Sequence, residues 1–286
     1  MDPTIDSTKC TGCGGCVEIC PAVVYVQKES KAVPDVVNGP VCIRCGQCLM
    51  RCPTDAISVP GISPDQIHEL GRSPGMDEVA NLLRGRRSVR LFSGQKVDRA
   101  LLEQVVSLAA TAPSGHNDQT TEFVVVQNPE TIKLVEQFTV EALQRISSVL
   151  HNGFMRGIVK IRLGKQYDAA VGALPMFDRV IEAQRAGKHV ILHEAPALIA
   201  FHGQTGNQMA NVNAQLCIEN AMLAVHGMGL GGYYCGFVTL MGHRDKRLPE
   251  LFKIPRDHEL FGVLAIGYPK TKLTRWVERK ARVTWT

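Results

Sequence analysis

Ten cysteines are the residues of this 286-residue chain with the clearest capacity for chemistry. Eight of them form two runs in which three cysteines recur at every third position and a fourth, followed by proline, comes four positions later. The runs are Cys10, Cys13, Cys16, Cys20 and Cys42, Cys45, Cys48, Cys52. Each member of the second run stands 32 positions after its counterpart, as Cys42 does after Cys10. The segment is therefore an internal repeat rich in metal ligands.

Three kinds of cysteine chemistry compete for this repeat. Disulfides need an oxidising compartment, and the N-terminal sequence MDPTIDSTKC has no basic-then-apolar signal peptide. Zinc takes four ligands, so two complete four-cysteine runs exceed what a zinc site needs. A tight loop with a thiolate at every third residue lets three sulfurs face one iron–sulfur cube, while the fourth turns toward another cube. We therefore favour two [4Fe–4S] clusters.

Residues 5–60 closely resemble bacterial two-cluster ferredoxins. The resemblance implies that Cys10, Cys13, Cys16 and Cys52 hold one cluster and that Cys42, Cys45, Cys48 and Cys20 hold the other. Apolar residues in Val23–Gln27 and Val33–Val37, separated by a polar turn, predict a short hairpin beside the clusters. We take residues 1–60 as a ferredoxin-like domain and 61–75, which are rich in Pro and Gly, as a linker.

Composition narrows the remaining possibilities. Hydrophobic residues make up 45% and charged residues 21%, which suits an ordinary globular protein. The net charge of +5 comes from the second part of the chain, because residues 1–60 carry five basic and six acidic side chains. No sequence resembles a nucleic-acid reader, and no apolar run approaches the roughly 20 residues of a membrane-spanning helix. We expect a cytoplasmic protein that binds no nucleic acid and does not span a membrane.

Residues 76–286 predict an α+β domain in which a central sheet is flanked by helices. Helical spacing predicts helices over Asp77–Arg84, Asp98–Ala110 and Ala210–Val225. Apolar segments predict strands over Phe123–Gln127, Ala197–His202, Gly232–Phe237 and Glu259–Gly267. The run Gly227–Gly232 matches G-x-G-x-x-G, but it follows a helix and precedes a strand. We therefore interpret it as a glycine-rich helix exit and predict no Rossmann unit.

Four segments in this domain, taken in order, resemble the FMN-dependent nitroreductase superfamily. They are Arg86–Phe92 (RRSVRLF), Ala112–Gln119 (APSGHNDQ), Tyr233–Phe237 (YYCGF) and Arg279–Lys280. The resemblance extends over about residues 76–286. It implies a nitroreductase-like fold placed after the ferredoxin-like domain, with FMN as a further cofactor.

The resemblance also implies a role for each matched position. The FMN phosphate would be bound by Arg86, Arg87, Ser88, Arg279 and Lys280, since arginine forks bind phosphate bidentately. Arg90 would lie near the pyrimidine edge of the flavin, where a cation stabilises the reduced ring. A loop that reaches FMN across a dimer interface would contain Pro113, Ser114, Gly115, Asn117 and Gln119. The backbone of Cys235 and Gly236 would face flavin N5 and O4.

Some features depart from the family or stay open. The pair Thr120-Thr121 stands where Pro-Trp is common, so the substrate class is open. Residues 150–190 match no motif and are a candidate lid over the flavin. We interpret the Cys217 and Cys235 side chains as buried apolar groups. No histidine is assigned a catalytic role.

These observations predict an iron–sulfur flavoprotein oxidoreductase that forms a homodimer. Electrons from a ferredoxin-like donor, or from NAD(P)H, would pass through the clusters to FMN. FMN would then reduce a small-molecule acceptor such as a nitroaromatic, a quinone or an activated alkene. Two alternatives remain open at this point. One is an electron-transfer module that serves a partner protein without a small substrate, and the other is a redox sensor.

Overall fold

The computed structural model describes residues 2–286, with only the backbone of Leu163 and Gln166, and it contains two compact units. The first unit runs up to Pro74 and also includes Gly115–Asp118. The second unit comprises Gly75–Ser114 and Gln119–Thr286. Residues 61–74, predicted as a linker, group with the first unit. None of the described helices is long and apolar enough to cross a membrane.

The first unit consists of short elements that follow the cysteine repeat. They are β1 (Thr4–Ile5), α1 (Gly15–Ile19), β2 (Tyr25–Val26), β3 (Asp35–Val36), α2 (Gln47–Arg51) and β4 (Ile57–Ser58). Strands β2 and β3 pair antiparallel as the predicted hairpin, and β1 pairs antiparallel with β4. Helices α1 and α2 begin after Gly14 and Gly46, whose φ angles of 74° and 72° place them in the left-handed region. The repeat in sequence is therefore also a repeat in structure.

The second unit contains a four-stranded sheet with helices on both faces. The strands are β5 (Glu122–Val126), β6 (Ala197–Gln204), β7 (Gly231–Tyr234) and β8 (His258–Gly267). Their order in the sheet is β5-β6-β8-β7, and all neighbours are antiparallel. The helices are α3 (Met76–Gly85), α4 (Arg99–Ala109), α5 (Pro129–His151), α6 (Gly153–Leu163), α7 (Tyr167–Gly172), α8 (Leu174–Arg185), α9 (Ala210–Gly227), α10 (Gly236–Gly242) and α11 (Arg247–Leu251). The predicted α+β class is confirmed.

Alternation along the central strands builds a separate apolar core on each face of the sheet. Leu198 and Ala200 of β6 face the core that is completed by α5, α8, α10 and α11. Ile199 and Phe201 face the core that is completed by α4 and α9. Because both faces are covered, β6 is buried from Ala197 to Gly203, which explains its nearly continuous apolar sequence.

The glycine-rich run after α9 is a helix exit, as predicted. Helix α9 ends at Gly227, and Gly229 has a φ of 74°, which lets the chain reverse into β7. The predicted strand Gly232–Phe237 is wrong at its end. Strand β7 stops at Tyr234, and α10 begins at Gly236. The aromatic residues around this turn suggested a continuing strand, although the chain bends there into a helix.

A buried carboxylate ties α5 to α11. Asp245 is 8% exposed and accepts hydrogen bonds from Arg145 and Arg247. Arg247 also pairs with Glu141 at 2.8 Å and lies 4.1 Å from the ring centre of Phe138. These bonds, with those from Arg247 foremost, hold the pKa of Asp245 near 2. The cluster fixes α11 against the first core.

Candidate functional site

The eight cysteines of the repeat line two cavities in the first unit. Each cavity takes three cysteines from one run and the fourth from the other run, which is the grouping that the resemblance to ferredoxins implies. Cys10, Cys13, Cys16 and Cys52 line one cavity, and Cys20, Cys42, Cys45 and Cys48 line the other. None of the eight forms a disulfide.

Backbone hydrogen bonds to sulfur follow the repeat. The N–H of Val24 donates to Sγ of Cys20 at 3.4 Å, and 32 positions later the N–H of Ala56 donates to Sγ of Cys52 at 3.3 Å. Such bonds stabilise the charge on the sulfurs that ligate an iron–sulfur cluster. The donor groups and the two four-sulfur cavities therefore fit two clusters.

Two side-chain hydroxyls break the symmetry of the repeat. The Thr54 hydroxyl lies 3.8 Å from Sγ of Cys52, and the position 32 residues earlier is Ala22. The buried Tyr25 hydroxyl donates to Sγ of Cys48 at 3.4 Å. The position 32 residues later is Ile57, whose side chain has no donor. Burial raises the pKa of the Cys16 and Cys48 thiols, but a thiol that coordinates a metal is deprotonated outright.

The short stretch Gly115–Asp118 belongs to the first unit. There the Asn117 side-chain amide donates to the carbonyl oxygens of Ile43 and Arg44 at 3.2 and 3.0 Å. Ile43 and Arg44 lie between Cys42 and Cys45, so Asn117 braces a cluster-binding loop. No local sequence pattern predicts this contact, which joins residues 73 positions apart.

In the second unit the RRSVR segment lies along β7. Ser88 bridges Gly232 in parallel, and the Val89 N–H donates to the Gly232 carbonyl at 3.0 Å. A side chain at Gly231 would overlap Val89, so the glycine allows this close approach. The arginines on this segment are consequently held at a fixed distance from the end of β7.

Two predicted phosphate ligands of this segment make contacts within the chain. Nε of Arg86 lies 3.5 Å from Glu219 on α9, and Nη1 of Arg87 donates to the Arg86 carbonyl at 2.8 Å. Burial and the charge of Arg86 both lower the pKa of the neighbouring His226. The positive charge beside Ser88 therefore comes from Arg86 and Arg87, and Arg86 shares its charge with Glu219.

Arg90 and the end of β7 line a common cavity of about 390 Å³. Its size falls within the usual range for small-molecule sites, which is about 300–1,000 Å³. The guanidinium of Arg90 lies 5.2 Å from the ring centre of Tyr233, within the range of a cation–π contact. The remaining lining residues are mostly apolar and come from the α7–α8 segment, the 190–193 loop and α10: Ala173, Met176, Phe177, Val190, Ile191, His193, Tyr234, Cys235, Gly236, Phe237 and Leu240.

The 190–193 wall of this cavity is fixed by two buried groups. The Tyr233 hydroxyl donates to the Ile191 carbonyl at 2.6 Å. Glu136 accepts from the Leu192 N–H at 3.2 Å and pairs with His189 at 2.6 Å. That hydrogen bond raises the pKa of His189, so this ring holds its proton longer than an ordinary histidine. The cavity wall is therefore rigid on this side.

The turn between β7 and α10 separates the two residues predicted to face the flavin. The Cys235 N–H donates to the Val263 carbonyl at 2.7 Å, so the sheet already uses it. We therefore correct the expectation that both N–H groups point at the flavin. Gly236 begins α10, and the first N–H groups of a helix have no acceptor within it. A Cβ on Gly236 would meet only the Tyr234 ring, at 4.0 Å, so packing within the chain does not require glycine there.

The Cys235 side chain is buried, as expected from the sequence. Its Sγ donates to the Tyr233 carbonyl at 3.8 Å. Burial raises the pKa of the thiol to about 12, so it is protonated at neutral pH. Cys235 is therefore a packing residue and not a reactive thiol.

The other predicted FMN residues are not brought to this cavity. Pro113 and Ser114 follow α4, and the Ser114 hydroxyl accepts from the Gln119 N–H at 3.1 Å. Arg279 and Lys280 are exposed in the C-terminal stretch, which forms no helix or strand after residue 271. The only described side chain of that stretch with a cation–π contact is Trp276, whose ring centre is 4.9 Å from the guanidinium of Arg84.

Comparison with known families decides what this second unit is. The model of the Nitroreductase family matches residues 83–268, which is well over half of the chain. The chain belongs to the nitroreductase family. A model described as a 4Fe-4S dicluster domain matches residues 9–57 of this nitroreductase-family protein. The predicted fusion of a ferredoxin-like domain with a nitroreductase domain is confirmed.

Similar proteins cover most of the nitroreductase domain. A candidate NADH dehydrogenase/NAD(P)H nitroreductase of Archaeoglobus fulgidus is 25% identical over 68% of this chain and 87% of its own. A protein of the same description from Methanothermobacter thermautotrophicus is 26% identical over 71% of this chain and 83% of its own. The structure of a Desulfitobacterium hafniense nitroreductase with bound FMN is similar with a TM-score of 0.57 and 21% identity, over 74% of this chain and 100% of that one.

His193 is a polar residue of the cavity that the sequence did not predict. His193 lines it and meets the Tyr233 ring edge-on, with 5.4 Å between ring centres. Its φ of 51° is unusual for a residue other than glycine. Burial and the charge of Arg90 lower the pKa of His193, so the ring is neutral at pH 7. No local motif marks it, because its place depends on the long-range contact with β7.

Proposed function

We propose that this protein is an FMN-dependent oxidoreductase in which two [4Fe–4S] clusters supply electrons to the flavin and the flavin reduces a small organic acceptor. The observation that carries the proposal is the cavity in which Arg90 and Gly236 meet, in a nitroreductase-family domain. Packing within the chain does not require glycine at position 236. A flavin would supply what the chain lacks, which is the capacity to collect single electrons and deliver a hydride equivalent.

The protein residues of the cavity bind and orient in this proposal. Arg90 supplies positive charge beside the pyrimidine edge of the flavin and is held by the Tyr233 ring. Gly236 allows close approach and offers its N–H. Arg86, Arg87 and Ser88 are proposed to bind the phosphate. We retain as further FMN contacts, proposed from the resemblance alone, Pro113, Ser114, Gly115, Asn117, Gln119, Arg279 and Lys280.

The walls of the cavity favour an apolar, planar acceptor. Phe177 and Phe237 pack edge to face, with 6.2 Å between ring centres, and both line the cavity. Aromatic walls with a single cation suit nitroaromatics, quinones or activated alkenes. Ala173 and Phe177, which belong to the predicted lid, line the cavity on the same side as Phe237. A cavity of this size favours an enzyme over a module that only relays electrons to a partner protein.

The electron donor is proposed to be a ferredoxin-like protein. The cluster domain can accept electrons one at a time from such a protein. A hydride donor reduces a flavin directly and does not need clusters. The relatives from Archaeoglobus and Methanothermobacter are described as NAD(P)H nitroreductases, so NAD(P)H is the alternative donor.

A homodimer is part of the proposal and rests on α9. One side of this helix packs into the second core through Ala214, Ile218 and Ala221. On another side Val212 and Leu216, at helical spacing, are 49% and 40% exposed. Apolar residues that share a helix face and remain exposed are typical of an interface with another chain. A second copy would cover them.

The decisive experiment measures flavin content and affinity in variants of the cavity. Arg90→Ala is expected to weaken FMN binding, since a charge-assisted contact contributes about 1.5–3 kcal/mol, or roughly ten- to hundredfold in affinity. Gly236→Val places a branched side chain where the flavin would lie and is expected to lose FMN. Arg99→Ala is the matched control, because Arg99 pairs with Glu103 on the exposed side of α4 and does not line the cavity.

Retention of FMN with parental affinity in both cavity variants would refute the site. Electron entry is tested by anaerobic rapid mixing of the Cys13→Ser and Cys45→Ser variants with reduced ferredoxin or with NADH. Slow flavin reduction by ferredoxin in these variants is the expected result. Rapid reduction of the flavin by NADH in both variants would instead favour NAD(P)H as the donor.

A further inference from the structure

Three potential metal ligands share one face at the end of the central sheet. Glu122 of β5 stands directly opposite His202 of β6. Leu260 of β8 stands opposite His202 on the other side, and His258 is two residues from Leu260. Residues that are opposite, or two apart along a strand, project from the same face of a sheet. The side chains of Glu122, His202 and His258 therefore converge.

A β-bulge creates this convergence. Up to Phe201 the strands pair so that Phe201 faces Gly262, but a one-residue shift then brings His202 opposite Leu260. In the unshifted register His202 would face Phe261, and His258 would project from the opposite face. Bulges that re-aim a side chain are frequent beside functional sites. This irregularity has no role in the cavity described above, which none of the three residues lines.

The distances suit a single ion. One ligating atom of each residue lies within 4.8 Å of the other two. The Nδ1 atoms of His202 and His258 are 3.0 Å apart. Two nitrogens that each lie about 2.1 Å from an ion are about 3.0 Å apart at a right angle and about 3.4 Å apart at the tetrahedral angle. The two imidazoles are thus already at the spacing of neighbouring ligands.

We propose that Glu122, His202 and His258 bind one divalent transition-metal ion, for which Zn²⁺ is the probe. Two imidazoles and one carboxylate form a donor set that selects such ions over Mg²⁺ and Ca²⁺, which prefer oxygen. The remaining coordination positions are filled by water, because Glu122 is 60% exposed on its side chain. The ion links β5, β6 and β8.

Burial and charge favour the same assignment. His202 is 3% exposed, and burial lowers the pKa of its ring, so it is neutral and can offer a lone pair. The His258 side chain is 13% exposed, and its Nε2 lies 3.9 Å from the Glu122 carboxylate. In the hydrogen bond between the two rings, one Nδ1 carries the proton. For that Nδ1 to bind an ion, the proton must move to Nε2 of the same ring. No proton is gained or lost in that change.

The test is zinc binding to the holoprotein with both clusters in place. Anaerobic equilibrium dialysis against a competing chelator, with metals counted by mass spectrometry, should give one zinc per chain and unchanged iron. His258→Gln should weaken binding by at least about a hundredfold and Glu122→Gln by about tenfold. Both residues lie nearer the surface than His202, so these variants are expected to fold. His243→Gln is the matched control, since His243 pairs with Glu259 at 3.5 Å and is not one of the three proposed ligands.

Zinc X-ray absorption supplies the second readout. Nitrogen and oxygen neighbours without sulfur are expected. A sulfur shell would place the zinc on cysteines and overturn the proposal. Equal binding by the parent and His258→Gln, or no binding by the parent, would also overturn it and leave a simple hydrogen bond between His202 and His258.

Discussion

A single added methyl group at Gly12 should damage the cluster site more than the same change at Gly46. Both glycines have left-handed backbone angles, with φ of 66° and 72°. A Cβ on Gly12 would overlap the carbonyl oxygen of Lys31, which is backbone and cannot move away. A Cβ on Gly46 would meet only the end of the Ile62 side chain, at 3.6 Å. The two variants therefore differ in steric overlap and not in dihedral strain.

The repeat indicates whether steric overlap or dihedral strain decides the difference between the two variants. The position 32 residues after Gly12 is Arg44, which adopts a φ of 51° although it has a side chain. Left-handed geometry costs about 1–2 kcal/mol for such a residue. Overpacking against a fixed group adds about 1–3 kcal/mol. We expect Gly12→Ala to destabilise the first unit by about 2–5 kcal/mol and Gly46→Ala by only about 1–2 kcal/mol.

The assay is anaerobic purification followed by iron counting and by release of iron to a chelator in increasing urea. A difference of about 1.4 kcal/mol corresponds to tenfold in the population of the opened state, so iron release near the midpoint should separate the variants clearly. Gly46→Ala should retain both clusters. Equal midpoints and equal iron content for the two variants would refute the steric reasoning.

Three further predictions concern the clusters, the α5–α11 contact and the cavity. Cys13→Ser and Cys52→Ser should each retain about four iron atoms and leave the same electron paramagnetic resonance signal, distinct from that of Cys20→Ser; pairing of Cys13 with Cys20 would contradict the grouping. Asp245→Asn should lower the free energy of unfolding by about 1–2 kcal/mol at pH 7, allowing for solvent screening. Because the folded pKa is depressed to about 2, this difference between parent and variant, measured by urea midpoints, should persist down to pH 4 and close only below it. His193 is neutral at pH 7, so the pH profile of turnover between pH 7 and 8 should be the same for the parent and for His193→Gln.

The sequence predicted best what local chemistry determines. Cysteine spacing predicts that three sulfurs of each run share one loop, and the resemblance to two-cluster ferredoxins implied the fourth ligand of each cavity. The helix Ala210–Gly227 and the strand His258–Gly267 were also found within two residues of their ends, because burial imposes its period on the sequence.

What the sequence could not predict depends on contacts between distant residues. The end of β7 is set by the hydrogen bond of the Cys235 N–H to Val263, which no local pattern reveals. The convergence of His202 and His258 depends on a one-residue bulge. Histidines that looked scattered along the chain are thus brought together by strand register.

The hydrogen bonds from Tyr25 and Thr54 make the two halves of the repeat inequivalent. Hydrogen bonds to cluster sulfurs stabilise the reduced state and raise the reduction potential. The centre that includes Cys48 has the Tyr25 hydroxyl, for which the repeat carries Ile57, and the centre that includes Cys52 has the Thr54 hydroxyl, for which the repeat carries Ala22. Two clusters held by the same cysteine spacing would then differ in reduction potential, so that a single electron shared between them would rest mainly on one.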